Sequence, residues 1–289
     1  MTVETSATFP DRHIPDAPLP EWRYRRAFAV GTALRALLNA SAVIWGLVVR
    51  QVRSQYSQQV LGVAWALITP LAQTLLFTVL LNRVGSGSSL RTGGVPRPLF
   101  LYVGLTAWSF FASSVSSGGT SLVGNPLLNK VYAPREVFPI AQVISSGINA
   151  IASTLVLPVL FIVNGRGPAI TSLWLPLPLV VLGAFTVAVT LIVSAVTVYA
   201  RDLRSGLPLI LQLGMFSPGV LYRVPDSVRG WYGYLNPVGA TIDCMRECIF
   251  VGNPPPWHLM VGATIASTVW LFGGFVFFKR LETGFADVS

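Results

Sequence analysis

Six long apolar runs, each free of Asp, Glu, Lys and Arg in its interior, are separated by short segments that hold almost all of the chain's charge. They fall at approximately 60–81, 98–122, 136–163, 172–200, 206–222 and 257–278. At about 1.5 Å of rise per residue, roughly 20 helical residues cross the ~30 Å hydrocarbon core of a bilayer. Lipid offers backbone amides no partner, so a crossing segment must satisfy them internally, and runs of this length do so as helices. The pattern predicts an all-α integral membrane protein with six transmembrane helices. The run at 206–222 is the shortest, and Gly219 directly after Pro218 predicts a break near its outer end.

A weaker pattern precedes the first run. Leu34, Leu37, Leu38, Trp45, Val48 and Val52 recur at helical spacing, while Arg35, Asn39, Gln51 and Arg53 interrupt the flanks. Only 14 residues lie between Arg35 and Arg50, about 21 Å of helix, too short to cross. Residues 34–58 are read as an amphipathic helix along the cytoplasmic membrane surface. A short tilted span is the alternative, and it would invert every later loop. Residues 1–33, with Pro10, Pro15, Pro18, Pro20 and charges of both signs, read as a disordered cytoplasmic tail. Residues 59–289 form the six-span domain. The first 30 residues lack an apolar core behind a basic start, so the first span is expected to act as the insertion signal. With the N-terminus inside, 13 basic residues fall in cytoplasmic segments and seven outside. Both termini are therefore expected in the cytoplasm.

Three connecting segments differ in character. Residues 82–97 are rich in Gly and Ser and read as a mobile outer loop. In 223–256, Asn236-Pro237 supplies an N-cap and a first-turn proline. Val238, Ile242, Met245 and Ile249 then form one apolar stripe, with Asp243, Arg246 and Glu247 elsewhere. That pattern suits a short outer helix, re-entrant or interfacial, between the fifth and sixth spans. In the inner loop, Asn125-Pro126 marks a helix start, and Pro134-Arg135-Glu136 opens the third span.

Composition narrows the function. Mean hydropathy is +0.63, and charged residues make up 11% against roughly 25% in soluble domains. The net charge of +9 is carried by Arg residues that lie singly between spans, which excludes a nucleic-acid-binding stripe. Ion-coupled carriers place Asp, Glu, His or Arg at mid-membrane, and the span interiors hold none. Neither Lys130 nor Lys279 follows a glycine, so the phosphate-binding G-x-x-x-x-G-K-[ST] loop is absent. If the chain moves cargo, the ATP chemistry lies in another subunit. Cys244 and Cys248, four apart, suit neither a relaxed disulfide nor, without nearby His or Cys, a metal site. No nucleophile–base pair or paired carboxylates are visible, so the chain is not expected to be an enzyme, nor to hold a cofactor or metal.

Several segments, in order, resemble the permease subunits of type-2 ATP-binding-cassette exporters of polysaccharides, the exporters of O-antigen, capsule, teichoic acid and galactan. They are residues 60–67 (VLGVAWAL) with Pro70, 125–132 (NPLLNKVY) with Pro134-Arg135-Glu136, Arg201-Asp202-Leu203-Arg204, Ser217-Pro218, Leu235-Asn236-Pro237, and the terminal 284–288 (GFADV). The resemblance implies a homodimer in the plasma (inner) membrane, with two copies of a cytoplasmic ATPase that hold ATP and Mg. The cargo implied is a glycan on a polyprenyl diphosphate, passed through a pore between the permeases. Asn129, Lys130, Tyr132, Pro134, Arg135 and Glu136 would form the coupling helix. Arg50, Arg53 and Tyr56 would belong to the gate helix that touches the ATPase. Two departures stand out. The family's Arg-Asp and Arg-Tyr-Lys gate-helix pattern is Arg50-Gln51 and Gln55-Tyr56-Ser57-Gln58 here. After Ser217-Pro218 the usual β-branched residue and Tyr-Pro give way to Gly219-Val220-Leu221-Tyr222-Arg223.

In such a pore, sugar C–H faces would stack on aromatic rings. Trp65, Phe77, Tyr102, Trp108, Phe110, Phe111, Phe216 and Tyr222 lie in spans one, two and five, the spans expected to line it, and are the candidates for an aromatic track. Arg201 and Asp202 are candidates to cap the fourth span and meet the cytoplasmic partner. Membrane lipids are the remaining expected contact. Two other readings fit the same spans: an exporter of drugs or small amphiphiles, and a non-transporting anchor for a cytoplasmic complex.

Overall fold

A computed structural model describes residues 30–57, 64–84, 92–124, 133–217 and 219–282. Among these, every regular element is helical: α1 (Val30–Asn39), α2 (Ser41–Ser57), α3 (Ala64–Val84), α4 (Arg97–Gly119), α5 (Val137–Thr154), α6 (Leu157–Val163), α7 (Pro176–Tyr199), α8 (Leu203–Gly214), α9 (Arg229–Leu235), α10 (Pro237–Arg246) and α11 (Trp257–Glu282). Five described stretches are long and apolar enough to cross a bilayer: Ala64–Arg83, Arg97–Gly119, Val137–Val163, Ile170–Tyr199 and Trp257–Glu282. The chain is a multi-pass, all-α membrane protein.

Local chemistry explains where the expected runs divide. Pro158, near the start of α6, has no N–H for the preceding turn, and the run at 136–163 is interrupted there into α5 and α6. Pro176 opens α7 after a 3₁₀ turn at Ile170–Trp174, a position where its fixed φ is pre-set for helix. The run expected at 206–222 is not one long helix. Its place is taken by α8, 12 residues long, which reaches only about 18 Å. α8 and the segment after it nonetheless follow α4 for its length. Leu207 packs at Gly119, Gly214 lies under the Trp108 ring, and the Val220 carbonyl abuts Gly104. Helix also begins at Val30, earlier than the expected boundary at residue 34, and the single expected N-terminal helix is two, meeting at Ala40. The rest of the expected tail lies outside the described residues.

The core sits where α4, α7 and α11 meet. Gly118 of α4 faces the Thr190 side chain of α7 so closely that an added Cβ would lie 2.3 Å from it. Backbones this close gain packing that apolar burial cannot supply among lipid tails. Phe111 stacks on Phe185, whose ring meets Trp270 of α11 edge-on. Three buried hydroxyls along α7 are satisfied within the helix, Thr186, Ser194 and Thr197 donating to the carbonyls of Leu182, Leu191 and Val193. Ile151, Leu155, Ile162, Val180, Val269 and Phe272 are exposed, forming the apolar outside of the bundle. We call the end at which α4 begins the upper end.

Candidate functional site

Three helices turn polar faces toward one groove. On α4 these are Thr106, Ser109, Ser113, Ser116, Ser117 and Thr120; on α5, Gln142, Ser145, Ser146, Asn149 and Ser153; on α2, Gln51 and Gln55. Spacings of three and four put each set on a single helix face. The central cavity holds about 430 Å³. It continues upward into one of about 250 Å³, walled also by Trp65, Thr69, Pro70 and Phe110. Below lies one of about 240 Å³ beside Arg50 and Ser54. From Thr120 to Thr106 the groove follows α4 for about 21 Å, most of the thickness of a hydrocarbon core.

Serine and threonine are tolerated at this depth where they return the proton to their own helix. Ser113 Oγ donates to the Phe110 carbonyl (3.2 Å), Ser117 Oγ to that of Ser113 (2.6 Å) and Thr120 Oγ1 to that of Ser116 (3.1 Å). What these hydroxyls present to the groove is therefore acceptor lone pairs. Side-chain ties hold the walls in register. Asn149 donates to Gln55 across α5 and α2 (3.1 Å), Ser153 Oγ to the Ala66 carbonyl of α3 (2.8 Å), and Tyr102 Oη to the Ser153 carbonyl (2.6 Å). Arg50 and Arg204 stand at the lower mouth. No Asp or Glu lines any of the three cavities.

The upper end is closed by a buried charge knot. Asn236 accepts from the Gly239 N–H (2.9 Å) and caps α10. Just short of three turns along that helix, Arg246 is buried, its guanidinium 3.6 Å from the Phe100 ring centroid. Its nitrogens donate to the carbonyls of Phe100 (3.0 Å), Gly219 (2.6 Å) and Val220 (2.5 Å). Burial pushes its pKa down to about 9, so it stays charged at neutral pH. Arg229 donates to Asp243 (2.6 Å) and Glu247 (3.3 Å), and Arg223 pairs with Glu247. Burial opposes charge on Arg229, but Asp243 and Glu247 outweigh it and hold its pKa above the ordinary arginine value. Asp243, Arg246 and Glu247, set apart from the apolar stripe in sequence, are thus buried rather than facing solvent. Gly219, at φ +92° and against the Gly239 backbone, is the residue that permits this turn.

At the lower end, Glu136 is buried and accepts from Lys279 of α11 (2.7 Å), which also donates to Glu282 (2.8 Å). Glu136 thus ties the loop before α5 to the last turn of α11, and Arg135 is half-buried. Pro134 is half-buried beside it; its carbonyl accepts from the Val137 N–H. Asn129, Lys130 and Tyr132 lie outside the described residues. Arg50 and Arg53 are exposed on α2, Arg201 and Asp202 at the turn before α8; the side chain of Tyr56 is not described.

The aromatic candidates are not assembled on one surface. Trp65 and Phe110 line the upper groove. Tyr102, Trp108, Phe111 and Phe77 are buried in the bundle, packing against Ser153, Gly214, Phe185 and Phe216. Phe216 is exposed, and Tyr222 donates to its carbonyl. The groove's hydroxyl and amide faces carry neither charge nor aromatic rings. Their spacing on α4 and α5 is the signal that finds them.

A polytopic bundle with a polar, acid-free groove among its helices defines a class, the multi-pass membrane proteins that gather polar side chains between their spans. Residues 42–250 match the ABC-2 type transporter family, and the chain belongs to it. The chain is also similar to the O-antigen export system permease protein RfbA of Myxococcus xanthus, 26% identical over 264 residues, which covers 88% of this chain and 98% of that one. Two proteins of the same name from Klebsiella pneumoniae are each 24% identical over 245 residues, covering 83% of this chain and 92% of theirs.

Proposed function

We propose that the chain is the permease subunit of an ATP-driven exporter that moves a polyprenyl-diphosphate-linked polysaccharide from the cytoplasm across the plasma (inner) membrane. The observation that carries this reading is the groove. Lipid tails offer no partner to its amides or to the outward lone pairs of its hydroxyls, whereas sugar hydroxyls, which donate and accept, exchange partners along it without binding tightly. Similarity to O-antigen export permeases over most of the chain points the same way.

In this reading two copies of the chain bind two copies of a cytoplasmic ATPase, which holds ATP and Mg and does the catalysis that this chain lacks. α8 and residues 215–222 together make the sixth crossing. Their course beside α4, from Gly119 to Gly104, supports it, and six crossings leave both termini in the cytoplasm. The lower end is then the cytoplasmic face. There α2, with Arg50, Arg53 and Tyr56, is the gate helix, residues 129–136 form the coupling segment, and Arg201 and Asp202 lie beside it. α9 and α10 form a pair at the outer face.

Depletion of the chain in its host, with labelling and sizing of lipid-linked glycans, tests the proposal. Build-up of one lipid-linked polymer behind the membrane is the expected result. An unchanged glycan pool, with altered sensitivity to amphiphilic drugs, would replace it with small-molecule efflux.

A further inference from the structure

Resting on that export reading, we infer that the exported polymer is uncharged along its repeat, a polyol chain without phosphate, carboxylate or sulfate in each unit. Two observations carry this. First, the groove offers neutral partners. The hydroxyls of Ser113, Ser117 and Thr120 turn their protons back into α4 and present lone pairs, and the amides of Gln51, Gln55, Gln142 and Asn149, which can donate, carry no charge to set against an anion. A neutral sugar brings its own hydroxyl protons and finds those lone pairs useful.

Second, the crossing segments hold no charge in their interiors. In the five spans Arg, Lys and Glu occur only at the ends, as Arg83, Arg97, Lys279, Arg280 and Glu282. A second copy of the chain would bring the same neutral spans, so the argument does not depend on which helices face the path. A polyanion would need repeated cationic partners over the hydrocarbon zone, because desolvated charge without a counter-charge is costly there. The cations Arg50 and Arg204 stand only at the lower mouth. They can meet a single anionic end group but not a series of charges along a chain.

The test begins with the polymer that accumulates when the chain is depleted. After mild acid releases it from its lipid, it should pass an anion exchanger unretained at neutral pH; retention that scales with chain length overturns the inference. A second measurement uses the intact transporter in the host with Ser113→Asp, Ser113→Lys and Ser113→Trp, membrane levels being matched. Asp and Lys should lower surface polymer several-fold and to within about twofold of each other. Lys raising export while Asp abolishes it would reveal an anionic cargo and overturn the inference. Wild-type export by all three, Trp included, means that the groove is not the path and removes the first observation on which the inference stands. Failure of the export reading itself looks different, since depletion then leaves every glycan pool unchanged.

Discussion

Removing the ammonium of Lys279 should destabilise the protein more than removing the charge of its partner. Lys279 Nζ sits 2.7 Å from Glu136 and 2.8 Å from Glu282, and the three side chains are 12%, 0% and 23% exposed. In Lys279→Met the apolar stem still packs, but Glu136 is left buried without a cation. Breaking a buried pair from one side costs about 3–5 kcal/mol. Glu136 escapes part of this by taking up a proton, each unit of pKa rise amounting to about 1.4 kcal/mol, so a loss of about 3 kcal/mol is expected. Glu136→Gln leaves Lys279 with Glu282 and a neutral acceptor, and should lose about 1 kcal/mol. Thermal unfolding of the detergent-solubilised chain, followed by tryptophan fluorescence, reads these as Tm shifts of about 6–12 °C and 2–4 °C. The pair interact, so Glu136→Gln with Lys279→Met should lose less than Lys279→Met alone. The pH dependence has a definite sign. Burial raises the Glu136 carboxyl pKa above its ordinary value, and loss of Lys279 raises it further. Its contribution to stability is then fully present below the unfolded pKa of about 4.3 and is lost as pH rises through the folded value. The Lys279→Met deficit should therefore shrink toward pH 5 and grow toward pH 8. A deficit independent of pH, or a double variant that falls by the sum of the singles, would refute the clasp.

Arg246→Met orphans the carbonyls of Phe100, Gly219 and Val220 and should cost about 3–5 kcal/mol in the same assay. Arg246→Lys, which cannot reach all three, should fall between it and wild type, and a wild-type Tm for either would contradict the knot. Cys244 and Cys248 are buried, and burial pushes the Cys248 thiol up to about 11 and the Cys244 thiol higher. Both should resist maleimide in the folded protein at pH 7 and react once it is unfolded; rapid labelling of the native form would show an open upper end. Trp65→Ala should lower surface polymer at normal membrane levels, because Trp65 lines the groove. Trp108→Ala should instead lower the folded yield, by a cavity cost of about 3–5 kcal/mol.

Much of the architecture follows from hydrophobic run length alone, because a bilayer leaves an apolar chain few ways to satisfy its backbone. Five spans, the N-cap at Asn236 and the helix after Pro237 were legible on that basis. Where helix gives way within the run at 206–222 is less legible, because apolar content marks a segment that crosses lipid or lies in a core but cannot tell helix from an irregular strand of chain. Beyond Gly214 the backbone carbonyls of Gly219 and Val220 find a partner in Arg246, some 26 residues later. A helix was therefore not required there, and only tertiary structure reveals that substitution.

The same limit governs the site. Charge and aromaticity are conspicuous in a membrane sequence, but they do not say what Glu136 and Tyr102 pack against. Both are buried by contacts more than 50 positions away, with Lys279 and with the Ser153 carbonyl. The groove, by contrast, is local information three times over, an i, i+3, i+4 rhythm of Ser and Thr on α4, of Ser and amides on α5, and Gln51 with Gln55 on α2. No single rhythm says what it faces. Hydroxyls that bond back to their own helix are as compatible with lipid as with water, which is why each stripe alone is ambiguous. It is their convergence, with Asn149 bonded to Gln55 and Ser153 to Ala66, that gathers three separately tolerable polar faces into one groove.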